Sequence, residues 1–249
     1  MQFIGITGHR GSGKTSVGYL LGNTLNAIRH GLNREEIECD FKSWCDTIKD
    51  DENAIYDCPL YYVYFDEFGE MPKSFVAQLL SIDMSVLDND TLKDTMYVNM
   101  SNFKLYSKDP SFKIITAEDI LAGNRRWKDV YISLREFAKV FSIDIMQKFF
   151  GTDVWLKSRV VNDDKWQISS TDGFKVFSDV KTKDEIKYIK DNSGIIVRTL
   201  RPSHKKSDAG ITNTENSDSD FIINTEGHLY DLFDKIYKIA NEIYERSKQ

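Results

Sequence analysis

The sequence predicts an α/β protein in three layers, a parallel sheet with helices on both faces. Four observations carry the prediction. The chain opens with a short apolar run, residues 2–7. Gly8-His9-Arg10-Gly11-Ser12-Gly13-Lys14-Thr15 follows and satisfies the phosphate-binding loop (P-loop) pattern G-x-x-x-x-G-K-[ST] in full. Behind it Val17, Leu20, Leu21, Leu25 and Ile28 recur at helical spacing. Farther on, β-prone runs alternate with amphipathic helical stretches, the pattern of strands joined by crossover helices.

Strand, glycine turn and helix are what phosphate binding needs. Glycines let backbone N–H groups curl around an anion, and the helix N-terminus adds its positive dipole end. Lys14 is placed to reach the β- and γ-phosphates, and the Thr15 hydroxyl to ligate Mg²⁺.

Composition sets the bounds. At 249 residues the chain has room for one α/β domain with a substantial core and an inserted lid. Its 33 basic and 39 acidic residues give a net charge of −6, which argues against a nucleic-acid coat. Cys39, Cys45 and Cys58 form no C-x-x-C pair, so we expect free thiols in a reducing compartment and no zinc. No apolar run reaches the ~20 residues that span a bilayer, and the first strand leaves no place for a signal peptide. We expect a cytoplasmic protein with no membrane and no nucleic-acid partner.

Along the chain, Gly31 ends the first helix. Asn33, with Glu36 three residues on, reads as the next N-cap. Ile37, Phe41, Trp44, Cys45 and Ile48 give that second helix one apolar face, and residues 50–53 close it as a loop. Residues 60–65 are aromatic and β-prone and read as a second strand. Pro72 suits the first turn of a helix that buries Phe75, Val76, Leu79 and Leu80. From 83 to 129 periodicity is weak; Thr116 is placed to cap a short helix that Gly123 ends. Ser133-Leu134-Arg135-Glu136 is a capping-box sequence. Phe137, Val140, Phe141, Ile145 and Phe149 continue it as one long helix, with Gly151 at its C-cap.

Residues 174–179 and 195–200 read as strands around a helix at 183–192 that Gly194 caps. Residues 203–220 are polar and read as a mobile, lid-like loop. Residues 221–224 form a last strand, and Leu229, Leu232, Phe233, Ile236, Ile239, Ala240 and Ile243 line a C-terminal helix. The expected organisation is a single domain over 1–249, with an insert or acceptor-binding region near 83–130 and a lid near 203–220.

A phosphate-binding loop alone leaves three classes open. The GTP switch has Asp66-Glu67-Phe68-Gly69 as its D-x-x-G, but no N-K-x-D motif to read guanine. An ATPase has a Walker-B-like strand end, where Asp66 would hold Mg²⁺ through water and Glu67 would polarise the attacking water. A small-molecule kinase needs cations that hold a phosphorylated acceptor in line with ATP, and Arg10, Lys73 and Arg135 are candidates. Lys73 and Arg135 lie in the first turns of two predicted helices, and helix N-termini themselves favour anions. Asp179 lies at the carboxyl end of a strand, where open α/β sheets place their ligand crevice; it also fits a cap for the next helix.

In the kinase class the sequence resembles the phage-type deoxynucleoside monophosphate kinases, within the nucleoside monophosphate kinase group. The matching pieces run in order. They are Arg10 inside the loop, Phe68-Gly69-Glu70-Met71-Pro72-Lys73, Ser133-Leu134-Arg135-Glu136-Phe137 and Gly151-Thr152-Asp153-Val154-Trp155. Ser178-Asp179-Val180-Lys181 with Asp184 and Glu185, Arg201-Pro202, and Asn224-Thr225-Glu226-Gly227 complete them.

The resemblance implies transfer of the ATP γ-phosphate to a deoxynucleoside 5′-monophosphate, with Mg²⁺. It gives Lys14, Arg10 and Arg135 the catalytic roles. Gly11, Ser12, Gly13, Lys14, Thr15, Ser16 and Arg201 would bind ATP, and Thr15 the metal. Arg10, Lys73 and Arg135 would clamp the acceptor phosphate, with Gly151 and Thr152 beside them. Asp179 and Glu185 would contact the acceptor nucleoside, and Trp155 or Trp166 would stack on its base. The partners implied are small nucleotides and a second copy in a homodimer. A kinase of another small phosphorylated acceptor is the neighbouring alternative.

The chain departs from the family pattern in three places. Arg135 and Gly151 stand sixteen residues apart, more than the family keeps. Lys181 replaces an arginine, keeping charge but losing bidentate geometry. The segment 28–60 is long and has no counterpart.

Overall fold

The computed structural model describes residues 1–50, 60, 62–107, 113–122, 130–158, 173–203 and 218–248. The chain divides into two compact units, Met1–Phe68 with Trp166–Gln249, and Gly69–Lys165.

The first unit begins with β1 (Gln2–Gly8), α1 (Lys14–Arg29) and α2 (Arg34–Asp50), then β2 (Val63–Asp66). The sequence places that second strand at 60–65; it lies later in the chain and ends on the carboxylate Asp66. The predicted cap of α2 forms. The Asn33 Oδ1 accepts from the Glu35 and Glu36 amides at 2.9 and 3.1 Å, and Glu36 answers the Asn33 N–H at 2.8 Å.

The second unit holds α3 (Glu70–Leu80), α4 (Ser85–Asp88), α5 (Asp90–Thr95), β3 (Met96–Asn99), β4 (Leu105–Ser107), β5 (Lys113–Ile114), α6 (Ala117–Leu121) and β6 (Val130–Ser133). Then come α7 (Leu134–Lys139), a π-helical segment (Val140–Ile145) and α8 (Met146–Phe150). Its four strands run in the order β4-β3-β6-β5, antiparallel except for the β5–β6 pair. The described part of the weakly periodic stretch is therefore structured. Strands of two to four residues are too short to show a period. Val98 and Ile132 of these strands are fully buried, as are Leu134, Phe137 and Val140 after them.

The long helix predicted from Ser133 to Gly151 is not α-helical throughout. Ser133 Oγ caps it, accepting from Glu136 N at 3.2 Å. The Trp155 indole N–H then donates to the Ser142 carbonyl, and Ser142 Oγ donates back to Ala138 O. A side chain that takes a carbonyl out of the helical ladder opens the helix locally, and the wider π turn lies there. Phe137 and Phe141 still stack at 4.3 Å across it.

The chain returns to the first unit with β7 (Phe174–Val180), α9 (Lys183–Asp191), β8 (Ile195–Leu200) and β9 (Phe221–Asn224). A 3₁₀ turn (Leu229–Leu232) leads into α10 (Phe233–Arg246). Strand order is β2-β7-β1-β8-β9, every pair parallel. This is the parallel α/β sheet the sequence predicts. On one face Ile4, Ile6, Val176 and Val197 pack with Leu20, Leu21 and Leu25 of α1 and with Ile236 and Ile243 of α10. Each such fully buried aliphatic side chain contributes about 1.5–3 kcal/mol. On the other face α9 comes so close that a Cβ on Gly5 would lie 2.6 Å from Ile189 Cδ1. The left-handed residue after α9 is Ser193, at φ 57°, not the predicted Gly194. Gly194 serves close approach instead, since a Cβ there would meet Phe3 O at 2.8 Å.

Of the predicted loop 203–220, residues 204–217 lie outside the described residues, as do Trp166 and Gly123. Among the described residues no helix is long and apolar enough to cross a membrane.

Candidate active site

The loop between β1 and α1 is closed by its own backbone and by two other strands. Gly13 precedes α1 at φ 79°, a conformation that L side chains adopt at a cost. Ser12 N donates to His9 O at 3.1 Å, and Val17 N to Gly13 O at 2.9 Å. Gly8, at φ 150°, admits no side chain: a Cβ would lie 2.3 Å from Thr199 Oγ1 and 2.6 Å from Ser12 Oγ. Those two hydroxyls touch at 2.7 Å.

Lys14 Nζ folds over the loop and donates to Gly8 O at 3.0 Å and His9 O at 2.9 Å. Burial and the Lys181 ammonium push its pKa down to about 8, with Asp179 pulling the other way. Thr15 and Ser16 are half-buried in the first turn of α1, and Arg10 is exposed on the loop.

The carboxyl ends of β2 and β7 complete this edge. Paired residues of parallel strands share a face. Asp66 pairs with Phe177 and Tyr64 with Lys175, which turns Asp66 to the α9 face. There it makes a buried ion pair with Lys175 at 2.9 Å. Glu67 turns the other way. Its Oε1 accepts from Ser178 Oγ at 3.2 Å, and Ser178 Cβ lies 3.7 Å from where a side chain on Gly18 of α1 would begin.

Asp179 is nearly buried. Its Oδ1 accepts from Phe68 N at 2.7 Å, and Oδ2 from Lys181 Nζ at 3.2 Å. Asp179 does not cap α9. Thr182 and Glu185 do so as a reciprocal box, and Glu185 Oε2 also accepts from Lys181 N at 2.6 Å. Burial pushes the Glu185 carboxyl up against those amides. Arg201 is exposed just past β8.

In the second unit the predicted acceptor cations lie among carboxylates. Lys73 Nζ pairs with Asp88 at 2.6 Å. Arg135 gives Nε and Nη2 to Asp94 at 2.5 and 3.0 Å, and Nη2 to Asp90 Oδ1 at 3.0 Å. Lys93 joins Asp90 at 2.9 Å. These hydrogen bonds hold Asp94 below the ordinary carboxylate range and Arg135 above its ordinary value. Gly151 closes α8 at φ 96°, and Thr152 follows, exposed. Trp155 packs on Phe75 at a centroid distance of 5.6 Å.

Sequence reasoning missed Thr182, although T-x-x-E is a legible box signature. It also missed Ser178 as the partner of Glu67, and Thr199 and Thr225 as partners of the loop. The last two have no local signal.

A glycine-rich loop at the carboxyl edge of a parallel α/β sheet, with a lysine folded over it, defines a P-loop nucleotide-binding protein. The sequence model of the deoxynucleotide monophosphate kinase family matches residues 2–236, and the chain belongs to that family. It is a phosphotransferase that moves phosphate from ATP to deoxynucleoside monophosphates. No curated protein matches the chain.

Proposed function

We propose that the donor site is the loop Gly11–Ser12–Gly13–Lys14 with Thr15 and Ser16, and that Lys14 carries the charge of the transferred phosphoryl group. The supporting observation is Lys14 itself, a part-buried ammonium beside Lys181 at the mouth of the glycine loop. Phosphoryl transfer asks mainly for positioning and charge neutralisation. On binding, Lys14 exchanges two backbone carbonyls for phosphate oxygens. The monophosphate acceptor is already ionised at neutral pH, so no general base is required.

Arg10, Lys73 and Arg135 hold the acceptor phosphate. Asp179 and Glu185 order the segment that faces the acceptor nucleoside. Gly151, Thr152, Trp155 and Trp166 belong to the same acceptor role, and Arg201 to the donor. Thr15 would hold the Mg²⁺ that accompanies ATP, and the ion would supply neutralisation of phosphate charge. Among the described residues no three His, Cys, Asp or Glu side chains are placed to cage a metal. The Thr15 hydroxyl and the Glu67 carboxylate suit a hard cation whose other ligands are phosphate and water. Asp66 is buried and paired with Lys175, which counts against the ATPase reading.

The test is ADP release from ATP and Mg²⁺, without acceptor and then with each deoxynucleoside monophosphate in turn. Release confined to one or a few monophosphates is expected. Steady release indifferent to them would overturn the assignment.

A further inference from the structure

Four hydroxyl side chains around the loop are buried: Thr7, Ser12, Thr199 and Thr225 expose 8% or less. Buried hydroxyls hold partners, and each has a single proton to give. Thr199 Oγ1 spends its proton on Thr7 O at 3.1 Å. In the 2.7 Å contact between Ser12 and Thr199, Ser12 must therefore be the donor. The Ser12 N–H is spent as well, on His9 O at 3.1 Å. Both donors of Ser12 are thus engaged within the protein.

The next peptide, Ser12–Gly13, is held from beyond another strand. Thr225, just past β9, lies within reach of two carbonyls, Ser12 O at 2.9 Å and Leu200 O at 3.1 Å. Leu200 O already receives the Thr225 amide at 2.8 Å. The nearer carbonyl and the unmet demand are both at Ser12, so the hydroxyl proton belongs there.

We propose that Thr225, with Thr199, is a positioning element of the donor site. The Ser12 carbonyl is drawn toward β9 and its hydroxyl toward β8. The peptide plane between Ser12 and Gly13 is thereby fixed, and with it the direction of the amides that meet the ATP phosphates. Ser12 contributes loop geometry and not a side-chain bond to phosphate. This rests on the reading of the loop as the donor site.

The experiment measures ATP binding by calorimetry and the KM values for ATP and for the acceptor in Thr225→Val, Thr225→Ser and Lys14→Ala. Valine keeps the shape of threonine beside Gly13, whose Cβ position is 3.8 Å from Thr225 Cγ2, and removes only the hydroxyl. Thr225→Val should weaken ATP binding roughly five- to tenfold, the scale of one buried hydrogen bond. The acceptor KM should stay put, and Thr225→Ser should restore ATP binding. Thr199→Val, tested beside it, should weaken ATP in the same selective way.

An ATP affinity within twofold of the parent in Thr225→Val would overturn the proposal. So would a serine variant as weak as the valine one, or parallel losses for both substrates with a lowered Tm. Normal turnover in Lys14→Ala would instead sink the donor-site reading itself.

Discussion

Arg135 and Asp94 meet edge to edge, with Nε on one carboxylate oxygen at 2.5 Å and Nη2 on the other at 3.0 Å. Asp90 takes Nη2 a second time. Isolated surface pairs contribute little, but a bidentate contact inside a network is the exception. The guanidinium plane is fixed by α5 through Nε and Nη2. Asp94→Ala should therefore raise the acceptor KM about two- to fivefold and leave the ATP KM alone. In a double-mutant cycle with Arg135→Ala the two losses should fail to add. Strict additivity in steady-state kinetics would mean that Asp94 does not orient Arg135.

Lys14 gives a pH dependence with a definite sign. Its pKa of about 8 in the free protein means that the loop loses its cation as pH rises through that value. Bound phosphates favour the ammonium, so ATP binding should take up a proton near and above pH 8. The ATP dissociation constant should then climb, approaching about tenfold per pH unit. Lys181→Gln removes a neighbouring positive charge and should move the break to higher pH. Titration calorimetry between pH 7 and 9.5, in buffers of different ionisation enthalpy, reads both effects. A flat profile would contradict them.

Removing the ammonium is the simpler experiment. Lys14→Ala should lose about two to three orders of magnitude in transfer, the scale of one charge-stabilising donor. The circular dichroism spectrum and Tm should be kept, because Lys14 bonds only carbonyls of its own loop.

Asp66 separates structure from chemistry. Asp66→Asn removes the carboxylate charge from the buried pair with Lys175 and should cost about 3–5 kcal/mol of stability. Replacing both residues by apolar ones of similar size should recover most of it. Per folded molecule, transfer should be unchanged in either case. Loss of transfer at full stability would return Asp66 to the Walker-B role that its sequence position suggests.

What the chain disclosed before folding follows from the range of each interaction. The loop, its strand and its helix lie within thirty residues and were legible as a motif and a period. The caps at Asn33, Thr116 and Ser133 were legible because their partners stand three residues away. The aspartate of Asp66-Glu67 reads as the metal ligand by analogy, but which acid faces the loop depends on register, and β2 begins at Val63. Ser193, not Gly194, carries the positive φ because a turn position can go to either, and the close approach of Phe3 O claims the glycine. The carboxylates around Arg135 were invisible, since Asp90 and Asp94 are more than forty residues from it.

The strand that carries the loop is made long before either of its neighbours. Both neighbours of β1 begin at Phe174 and Ile195, and the Ser12 carbonyl finds its partner 213 residues downstream. A ribosome adding 5–20 residues per second leaves the N-terminal strand without partners for roughly 10–40 s. During that time its apolar residues are bare and nucleotide has no finished loop to enter. ATP can therefore rescue a weakened finished chain, but it can do nothing for a nascent one.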